Sequence, residues 1–353
     1  MLCTGARILL ESLKREGVDL FFGYPGGAVI DIYDELSNHP DLRHILVRHE
    51  QGAVHAADGY ARACGKVGVC LATSGPGATN TVTGIATAYS DSIPMVIFTG
   101  QVSTPLIGND AFQEVDIIGI TRPCTKHNFL VKDVKDLAET VRKAFYLARS
   151  GRPGPVLVDI PKNIQQASCE FVWPEDVVMR SYCPTFRANL NQLRRAMDVL
   201  VTSRKPLIVA GGGVIMANAA EELCTLAHLM HAPVCSTLMG LGAFPGDDPL
   251  WIGMLGMHGT FAANRAVTQA DVILAVGARF DDRVTGKLSQ FAPNARIVHI
   301  DIDPTTLRKN VRVEVPVVSD ALSALQGLRS ILESGHAQKD WAGDHADWMG
   351  RVL

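Results

Sequence analysis

The stretch VGVCLATSGPGATN, residues 67–80, decides the fold. It begins with an apolar run ending at Thr73, which is typical of a strand buried on both faces of a parallel sheet. The run meets the turn Ser74-Gly75-Pro76-Gly77, and the pattern predicts a helix from Ala78. A strand, a tight turn and a helix in this order form the repeating unit of α/β proteins.

The same alternation extends in both directions along the chain and predicts α/β layers throughout. Strand patterns occupy 19–22, 43–48, 94–99, 156–160, 206–210, 271–276 and 296–301. Helical patterns occupy 5–16, 28–37, 51–64, 133–149, 190–202 and 320–333. We predict two doubly wound parallel-sheet domains, at 1–165 and 189–333. They are joined by a linker at 166–188, in which the apolar residues recur at neither the helical nor the strand period. The polar segment 334–353 is expected to be an irregular link towards a further domain.

Composition excludes several classes of function. The 353 residues carry a formal net charge of −3 with scattered basic residues, so no basic surface for nucleic acid is expected. No apolar run reaches the roughly 18 residues of a membrane span, and the charged first residues indicate a helix and not a targeting peptide. The eight cysteines show no CxxC spacing and mostly lie in apolar segments. They fit reduced thiols of a cytoplasmic protein.

Glu50 is the first candidate for chemistry. It lies in RHEQ, residues 48–51, between the end of a predicted strand and the start of a predicted helix. Shielding on two sides disfavours the charged form of a carboxyl group. Such a group can pass a proton to a bound nitrogen heterocycle and take it back. The alternative is a helix-capping role that stabilises the helix dipole by ~0.3–1 kcal/mol.

Two glycine-rich turns do not specify a ligand by themselves. The turn at 74–77 can hold an anion on backbone N–H groups, but it lacks a Walker lysine and a third glycine, so a purely structural turn remains open. The turn Gly211-Gly212-Gly213 also lacks the third glycine, and residues 231–233 offer no acid for a ribose hydroxyl. NAD is therefore disfavoured.

Three later loops converge more convincingly on a nucleotide. GMLGMHGT (253–260), GARFDDR (277–283) and DIDP (301–304) each border a predicted strand or helix. Ligands of open parallel sheets bind at the carboxyl ends of strands. Two arginines could pair with a diphosphate, and Asp301 or Asp303 could bind a ribose. Ordinary solvated surface charge is the alternative.

An ordered series of motifs identifies a resemblance. The motifs are FGYPGGA (22–28), RHEQ (48–51), DGYARA (58–63), TSGPGATN (73–80), DSIP (91–94), TGQV (99–102), DAFQE (110–114), SGRPGPV (150–156) and LMGLG (238–242). Over residues 1–333 the chain closely resembles the catalytic subunits of the acetolactate synthase (acetohydroxyacid synthase) family. These thiamine-diphosphate enzymes condense two 2-oxo acids with loss of carbon dioxide in branched-chain amino-acid biosynthesis.

The resemblance assigns roles to residues of the first domain, which it identifies as a pyrimidine-binding module. It implies that Glu50 hydrogen-bonds the aminopyrimidine ring of thiamine diphosphate and promotes proton removal from the thiazolium ring. Gly26, Gly27 and Ala28 are expected to line the catalytic cavity. Gln113 and Lys126, with Gln101 as a further candidate, are expected to contact substrate.

The second domain resembles the Rossmann-like FAD-binding module of the family, in which FAD is largely structural. The residues on its contact motifs are Arg152, Gly211, Gly213, Leu238, Met239, Gly256, Met257, His258, Gly277, Arg279, Arg283, Asp301, Ile302 and Asp320. Asp91 and Phe112 of the first domain are expected to approach the flavin.

The sequence also departs from the family. The family's third domain carries Gly-Asp-Gly and a later Asn pair that hold Mg²⁺ and the diphosphate, and no such series occurs here. The nearest string, Gly246-Asp247-Asp248, has no following Asn, so no metal ligand is nominated. We expect an incomplete chain that is inactive alone but binds FAD. A homodimer or higher homo-oligomer and a small regulatory subunit are the expected partners.

Two alternatives remain from the residues themselves. One is another thiamine-dependent 2-oxo-acid decarboxylase or oxidase, which product analysis would separate from a synthase. The other is a non-catalytic FAD-binding partner subunit that assembles with complete subunits, which co-purification would reveal.

Overall fold

The structure, a computed structural model, describes residues 2–335 and 339–352. The chain divides into two units, Met1–Tyr182 and Cys183–Leu353. This boundary falls inside the segment 166–188 predicted as a linker. Of the predicted domain ranges, Met1, residues 336–338 and Leu353 lie outside the described residues. Each unit contains its own parallel sheet covered by helices. An α/β fold with parallel sheets is therefore confirmed.

The first unit begins with a short strand and then alternates helices with strands. Its elements in chain order are β1 (Leu2–Thr4), α1 (Gly5–Arg15), β2 (Leu20–Gly23), α2 (Ile30–Leu36), β3 (Arg43–Leu46), α3 (Glu50–Cys64), β4 (Gly68–Ala72), α4 (Pro76–Thr79), α5 (Val82–Asp91), β5 (Met95–Gln101), α6 (Ile117–Thr121), β6 (His127–Leu130), α7 (Leu137–Arg149), β7 (Pro155–Pro161), α8 (Lys162–Gln166) and β8 (Ser168–Glu170).

The main sheet of the first unit has the strand order β3-β2-β4-β5-β7-β6, and all its pairs are parallel. Strands β4, β5 and β7 are buried at every residue, as the continuous apolar runs predict. The chain goes from β2 to β3 on one side and then continues from β4 on the other. The carboxyl ends of β2 and β4 therefore flank a point where the winding direction reverses, and open α/β sheets bind ligands at such points.

The segment after β7 closes the first unit. Strand β8 pairs antiparallel with β1, which places Cys3 opposite Cys169. Farther along, Phe171, Trp173 and Tyr182 pack against the apolar core that contains α1 and α7. The predicted linker is therefore partly folded, because its apolar side chains complete this core.

The second unit repeats the α/β alternation. Its elements are α9 (Leu190–Val201), β9 (Pro206–Ala210), α10 (Gly212–Met216), α11 (Ala220–Leu229), β10 (Val234–Ser236), β11 (Trp251–Met254), α12 (Phe261–Gln269), β12 (Val272–Val276), α13 (Asp282–Thr285), β13 (Arg296–Asp301), β14 (Val315–Val318), α14 (Ala321–Glu333) and α15 (Trp341–Val352).

The second sheet has the order β11-β10-β9-β12-β13-β14, again with parallel pairs only. Successive residues of β9 enter opposite cores: Ile208 and Ala210 join one apolar cluster, and Leu207 and Val209 join the other. Helices thus cover both faces of the sheet. The winding direction reverses between β9 and β12, so the carboxyl ends of these two strands form the second reversal point.

The segment after Ser334 differs from the irregular link that we expected. Helix α15 buries Trp341, His345, Trp348 and Val352. The indole of Trp348 donates a 2.8 Å hydrogen bond to the Pro206 carbonyl, and His345 Nδ1 lies 2.9 Å from the Met230 carbonyl. The buried residues recur at helical spacing, so the helix forms by packing onto the second unit.

None of the helices in the described residues combines the length and the apolar character that crossing a bilayer requires.

Candidate functional site

The carboxyl edge of the first sheet forms a tightly built glycine-rich site. The loop after β2 lies against Thr73, which follows β4: the Ala28 amide donates to Thr73 Oγ1 at 3.2 Å. A Cβ added to Gly26 would lie 2.5 Å from Thr73 Cγ2. Only glycine permits this approach of the two loops, so residue 26 fixes their separation.

Glu50 is the first residue of α3 and is buried, with 8% of its surface exposed. His49 caps the helix, because its Nδ1 accepts a 3.1 Å hydrogen bond from the Gln51 amide. The Asn80 side-chain amide donates to Glu50 Oε2 at 2.9 Å. Among the residues that the structure describes, none donates a hydrogen bond to the second oxygen, Oε1. One carboxylate oxygen is thus fixed, and the other can accept a hydrogen bond from a ligand.

The surroundings of Glu50 are apolar or neutral. Burial raises the pKa of the Cys70 thiol, and the nearby Glu50 carboxylate raises it further, so this thiol stays protonated. Burial, with smaller contributions from Cys70 and then Glu50, raises the pKa of the Tyr33 hydroxyl. Near Oε1, a Cβ on Gly77 would lie 3.2 Å from that oxygen and 2.6 Å from Thr73 Cγ2. The absence of side chains at 77 keeps Oε1 accessible.

The loop that carries Phe112 and Gln113 joins the same edge. A Cβ on Gly75 would lie 2.5 Å from the Gln113 carbonyl, which shows how closely this loop lies against the 74–77 turn. Gln113 has φ of +55°, in the left-handed region. Phe112 is 87% exposed. The structure therefore brings Gln113 and Phe112 to the edge that carries Glu50, Gly26, Gly27 and Ala28.

Gln101 is directed into the protein. Its Nε2 donates to the Val115 carbonyl at 2.9 Å and to Asp159 Oδ2 at 3.0 Å. Thr99 donates to the other Asp159 oxygen at 2.6 Å. Burial raises the pKa of Asp159 to about 7. The side chain of Gln101 is therefore used within this buried network, where it holds the loop at Val115. This disfavours the substrate contact that we expected of Gln101.

Lys126 lies away from Glu50. It immediately precedes β6, at the amino edge of the sheet, and its Nζ donates to the Ser150 carbonyl at 2.6 Å and to Tyr182 Oη at 2.9 Å. Arg152 also lies at this edge, where it donates to Ser92 Oγ at 2.8 Å. Asp91 pairs there with Arg62 at 2.8 Å. The structure therefore separates Lys126 from Glu50, whereas the flavin contacts predicted for Asp91 and Arg152 stay a prediction.

Lys162 lies at the carboxyl edge of the first sheet, the edge that carries Glu50, and the sequence analysis did not single it out. It begins α8, directly after the carboxyl end of β7, and its Nζ donates to the Gly27 carbonyl at 3.0 Å. The available signal was its position after the strand ending in Pro161. Apart from the chain neighbours of Gly27, no described residue places an atom within 4 Å of a Cβ added there, so the ammonium group lies beside open space at this edge.

The second unit has an equally close glycine contact at its reversal point. Gly211 follows β9 and Gly277 follows β12. A Cβ on Gly211 would lie 2.1 Å from the Gly277 carbonyl, and one on Gly277, where φ is +60°, would lie 2.5 Å from Gly213 Cα. The two loops are therefore in backbone contact.

The other residues predicted for the second unit lie at the same sheet edge, because each follows the carboxyl end of a strand or, in the case of Asp301, forms it. They are Leu238, Met239, Gly256, Met257, His258, Arg279, Arg283, Asp301, Ile302 and Asp320. Leu238 and Met257 are 69% and 61% exposed. Asp320 is already engaged as a helix cap, since its carboxylate accepts from the Ser323 amide at 2.7 Å.

In comparison with known proteins, a different family model matches each of the two units. Residues 3–120 match the "thiamine pyrophosphate enzyme, N-terminal TPP binding domain" family, and residues 193–328 match the "thiamine pyrophosphate enzyme, central domain" family. An acetolactate synthase large subunit of Buchnera aphidicola (Schizaphis graminum) is 51% identical over 98% of the chain. The chain is homologous to acetolactate synthase large subunits.

Two further relatives show the breadth of this homology. Acetolactate synthase isozyme 3 large subunit of Escherichia coli is 52% identical over 99% of the chain. A probable acetolactate synthase large subunit of Methanocaldococcus jannaschii is 53% identical, also over 99%. The chain spans 61%, 62% and 58% of the length of these three relatives, respectively.

Proposed function

We propose that the chain provides the pyrimidine-binding and flavin-binding parts of an acetolactate synthase, which condenses two 2-oxo acids with loss of carbon dioxide. The observation that carries this proposal is the Glu50 carboxyl group, buried at the reversal point with Oε2 fixed by Asn80. An accessible oxygen on a fixed, shielded carboxyl group suits proton exchange with a nitrogen heterocycle. Large subunits of acetolactate synthase are also the relatives found over nearly the whole chain.

The first unit fits the aminopyrimidine ring of thiamine diphosphate. When bound, the cofactor supplies the carbon nucleophile and the electron sink for decarboxylation. Glu50 would bind the ring and hold a proton at Oε1, and Asn80 would keep the carboxyl group oriented. The bare backbone at Gly26, Gly27 and Gly77 would admit the ring, and Lys162 and Gln113 would border the substrate. We assign no ligand for Mg²⁺ to the residues of this edge. We propose that the ligands of Mg²⁺ lie outside the site described here.

Glu50→Gln tests the proposal. The amide keeps the shape of the side chain but cannot exchange a proton, so acetolactate formation from pyruvate should fall about 10²- to 10⁴-fold in the enzyme that contains this chain. Glu139→Gln is the matched control, since Glu139 pairs with Lys143 on the surface of α7. Unchanged turnover in the Glu50→Gln enzyme, with normal folding by circular dichroism, would contradict the proposed role.

FAD is proposed for the second unit on topology. If the strands of this unit are numbered from 1 in chain order, the sheet has the order 3-2-1-4-5-6, which is the order of dinucleotide-binding sheets. Gly211 and Gly277 lie at the reversal point of this sheet. Arg279 and Arg283 could pair with the diphosphate, and Leu238 and Met257 offer exposed apolar surface. FAD should bind with a change in flavin fluorescence, and Met257→Glu should weaken binding more than Leu288→Glu, a control at an exposed site away from strand ends. Equal affinity in both variants would contradict this site.

Assembly follows from the same proposal. A 2-oxo acid is the proposed substrate, and a homodimer or larger homo-oligomer in the cytoplasm, with a small regulatory subunit, is the proposed assembly. Analytical ultracentrifugation, with and without a candidate small subunit, tests it.

A further inference from the structure

Three side chains with metal-ligating atoms meet on the second unit, away from the glycine-rich edge. Cys224 and His228 are four residues apart on α11, so they project from the same face of the helix. Asp248 comes from the loop between β10 and β11. One ligand atom from each of the three residues lies within 4.8 Å of the other two.

The Asp248 carboxylate is held in place before any ion binds. Its Oδ1 accepts a 2.9 Å hydrogen bond from the Leu250 amide, and its Oδ2 lies 2.8 Å from His228 Nε2. The side chain is 12% exposed, whereas that of His228 is 50% exposed. One oxygen is therefore oriented by the backbone, and the other already lies beside the imidazole, so two of the three ligand groups meet before an ion binds.

Cys224 completes the cluster with a sulfur ligand. The residue is partly buried against the apolar core of the second unit, and it forms no disulfide. Zinc bonds of about 2.0–2.3 Å place neighbouring ligand atoms about 3–4 Å apart. Ligand atoms already within 4.8 Å can reach that spacing by small side-chain rotations on a helix and a hydrogen-bonded turn.

We propose that Cys224, His228 and Asp248 form a binding site for Zn²⁺ or a similar borderline divalent cation. A sulfur, an imidazole nitrogen and a carboxylate oxygen are the ligand types that zinc takes, and they do not suit Mg²⁺, which prefers oxygen alone. Three protein ligands leave a fourth position for water. The ion ties α11 to the loop that precedes β11.

Zinc binding at this site releases one proton. The Cys224 thiol releases its proton to solvent as the sulfur–metal bond forms, and the imidazole coordinates in its neutral form. No oxidation or reduction occurs. The site lies outside the residues proposed for thiamine diphosphate and FAD, so failure of that assignment would not affect this one.

The experiment uses the purified chain, reduced with a phosphine that does not bind zinc. Isothermal titration with ZnCl₂ should give one site, and Co²⁺ should give a thiolate-to-cobalt charge-transfer band. Zinc should protect Cys224 from alkylation by iodoacetamide, as read by peptide mass spectrometry. Cys183, an exposed thiol of the same unit, should remain reactive and serves as the internal control.

Variants decide which residues bind. Cys224→Ser should abolish the charge-transfer band, and His228→Gln and Asp248→Asn should each weaken zinc binding at least about tenfold, the range in which lost metal-site interactions fall. Cys183→Ser should bind like the unmodified chain. Asp248→Asn retains an oxygen for the Leu250 amide and so keeps the turn. Absence of zinc binding by the unmodified chain, or equal affinity in all variants, would overturn the proposal.

Discussion

The side-chain amide of Asn80 donates a 2.9 Å hydrogen bond to Oε2 of Glu50, across the loops that follow two different strands. Asn80 ends α4 after the 74–77 turn, and Glu50 begins α3. The bond leaves Oε1 directed towards the space beside Gly77. It therefore determines which of the two carboxylate oxygens faces a ligand.

Removing this amide should impair the site more than the fold. In Asn80→Ala the carboxyl group loses a hydrogen bond of the charged type, worth about 1.5–3 kcal/mol. We expect acetolactate formation to fall about 10- to 100-fold, with a small change in melting temperature. Thr79→Ala is the control, because the Thr79 hydroxyl donates to the Pro76 carbonyl within its own turn. Equal losses in the two variants would indicate a general effect of the helix.

Gly27→Ala should separate ligand binding from stability. In the described part of the chain, and leaving aside its two neighbours, no atom lies within 4 Å of a Cβ at this position, so the folded chain accepts the methyl group without a clash. We expect an unchanged melting temperature and weaker binding of thiamine diphosphate, measured by calorimetry. Gly59, on α3, is equally open, and Gly59→Ala should raise the stability by about 0.5–1 kcal/mol without affecting binding. Normal binding by Gly27→Ala would remove residue 27 from the cavity.

Lys126 and Lys162 should respond in opposite ways to the same substitution. Lys126→Met removes the ammonium group that donates to the Ser150 carbonyl and the Tyr182 hydroxyl, so we expect a loss of about 1–3 kcal/mol of stability and little effect on KM. Lys162→Met should raise KM for pyruvate and leave the melting temperature nearly unchanged. The reverse pattern would restore Lys126 as the substrate contact.

Asp159 should make stability fall as pH rises. Burial, the largest influence, raises its pKa to about 7, although hydrogen bonds from Thr99 and Gln101 lower it. The unfolded value is about 3.9. Folding therefore takes up a proton between these values, and the stabilisation is complete below about pH 4 and lost as the pH rises through about 7.

Asp159→Asn removes this proton uptake. Between about pH 4 and pH 8, the free energy of unfolding of the variant should gain a few kcal/mol relative to that of the unmodified chain. Urea unfolding followed by circular dichroism at the two pH values measures it. Asp176→Asn, at an exposed position, should leave the pH dependence unchanged. A parallel pH dependence in the Asp159→Asn chain would show that this carboxyl group is not proton-linked to folding.

Much of the fold follows from the sequence because the central strands are apolar throughout. The predicted strands at 67–73 and 206–210 correspond to β4 and β9, within one residue at each end. The strands that were not predicted are β1, β6, β8, β10, β11 and β14. Each has only three or four residues, too few to show the apolar continuity that identified most of the others.

The sequence alone did not predict helix α15 or the separation of Lys126 from Glu50, because both depend on contacts between distant parts of the chain. The two tryptophans of α15 looked isolated in a polar segment, since the surface that covers them comes from the second unit. Lys126 was assigned as a substrate contact through the family resemblance. Strand β6, which was not predicted, begins directly after Lys126 and runs parallel to β7, and this places Lys126 at the amino edge. The Cys224 cluster needed Asp248, whose proximity arises only from the return of the chain along β11.

The pairing of β1 with β8 has a consequence for chain connectivity. These strands lie side by side, about 4.8 Å apart, although residues 2–4 and 168–170 stand near opposite limits of the first unit. The first strand of the chain is therefore tied to the segment that leads towards the second unit. Deletion of residues 1–4 should loosen that segment and leave the parallel sheet and the Glu50–Asn80 contact in place, since β1 belongs to neither.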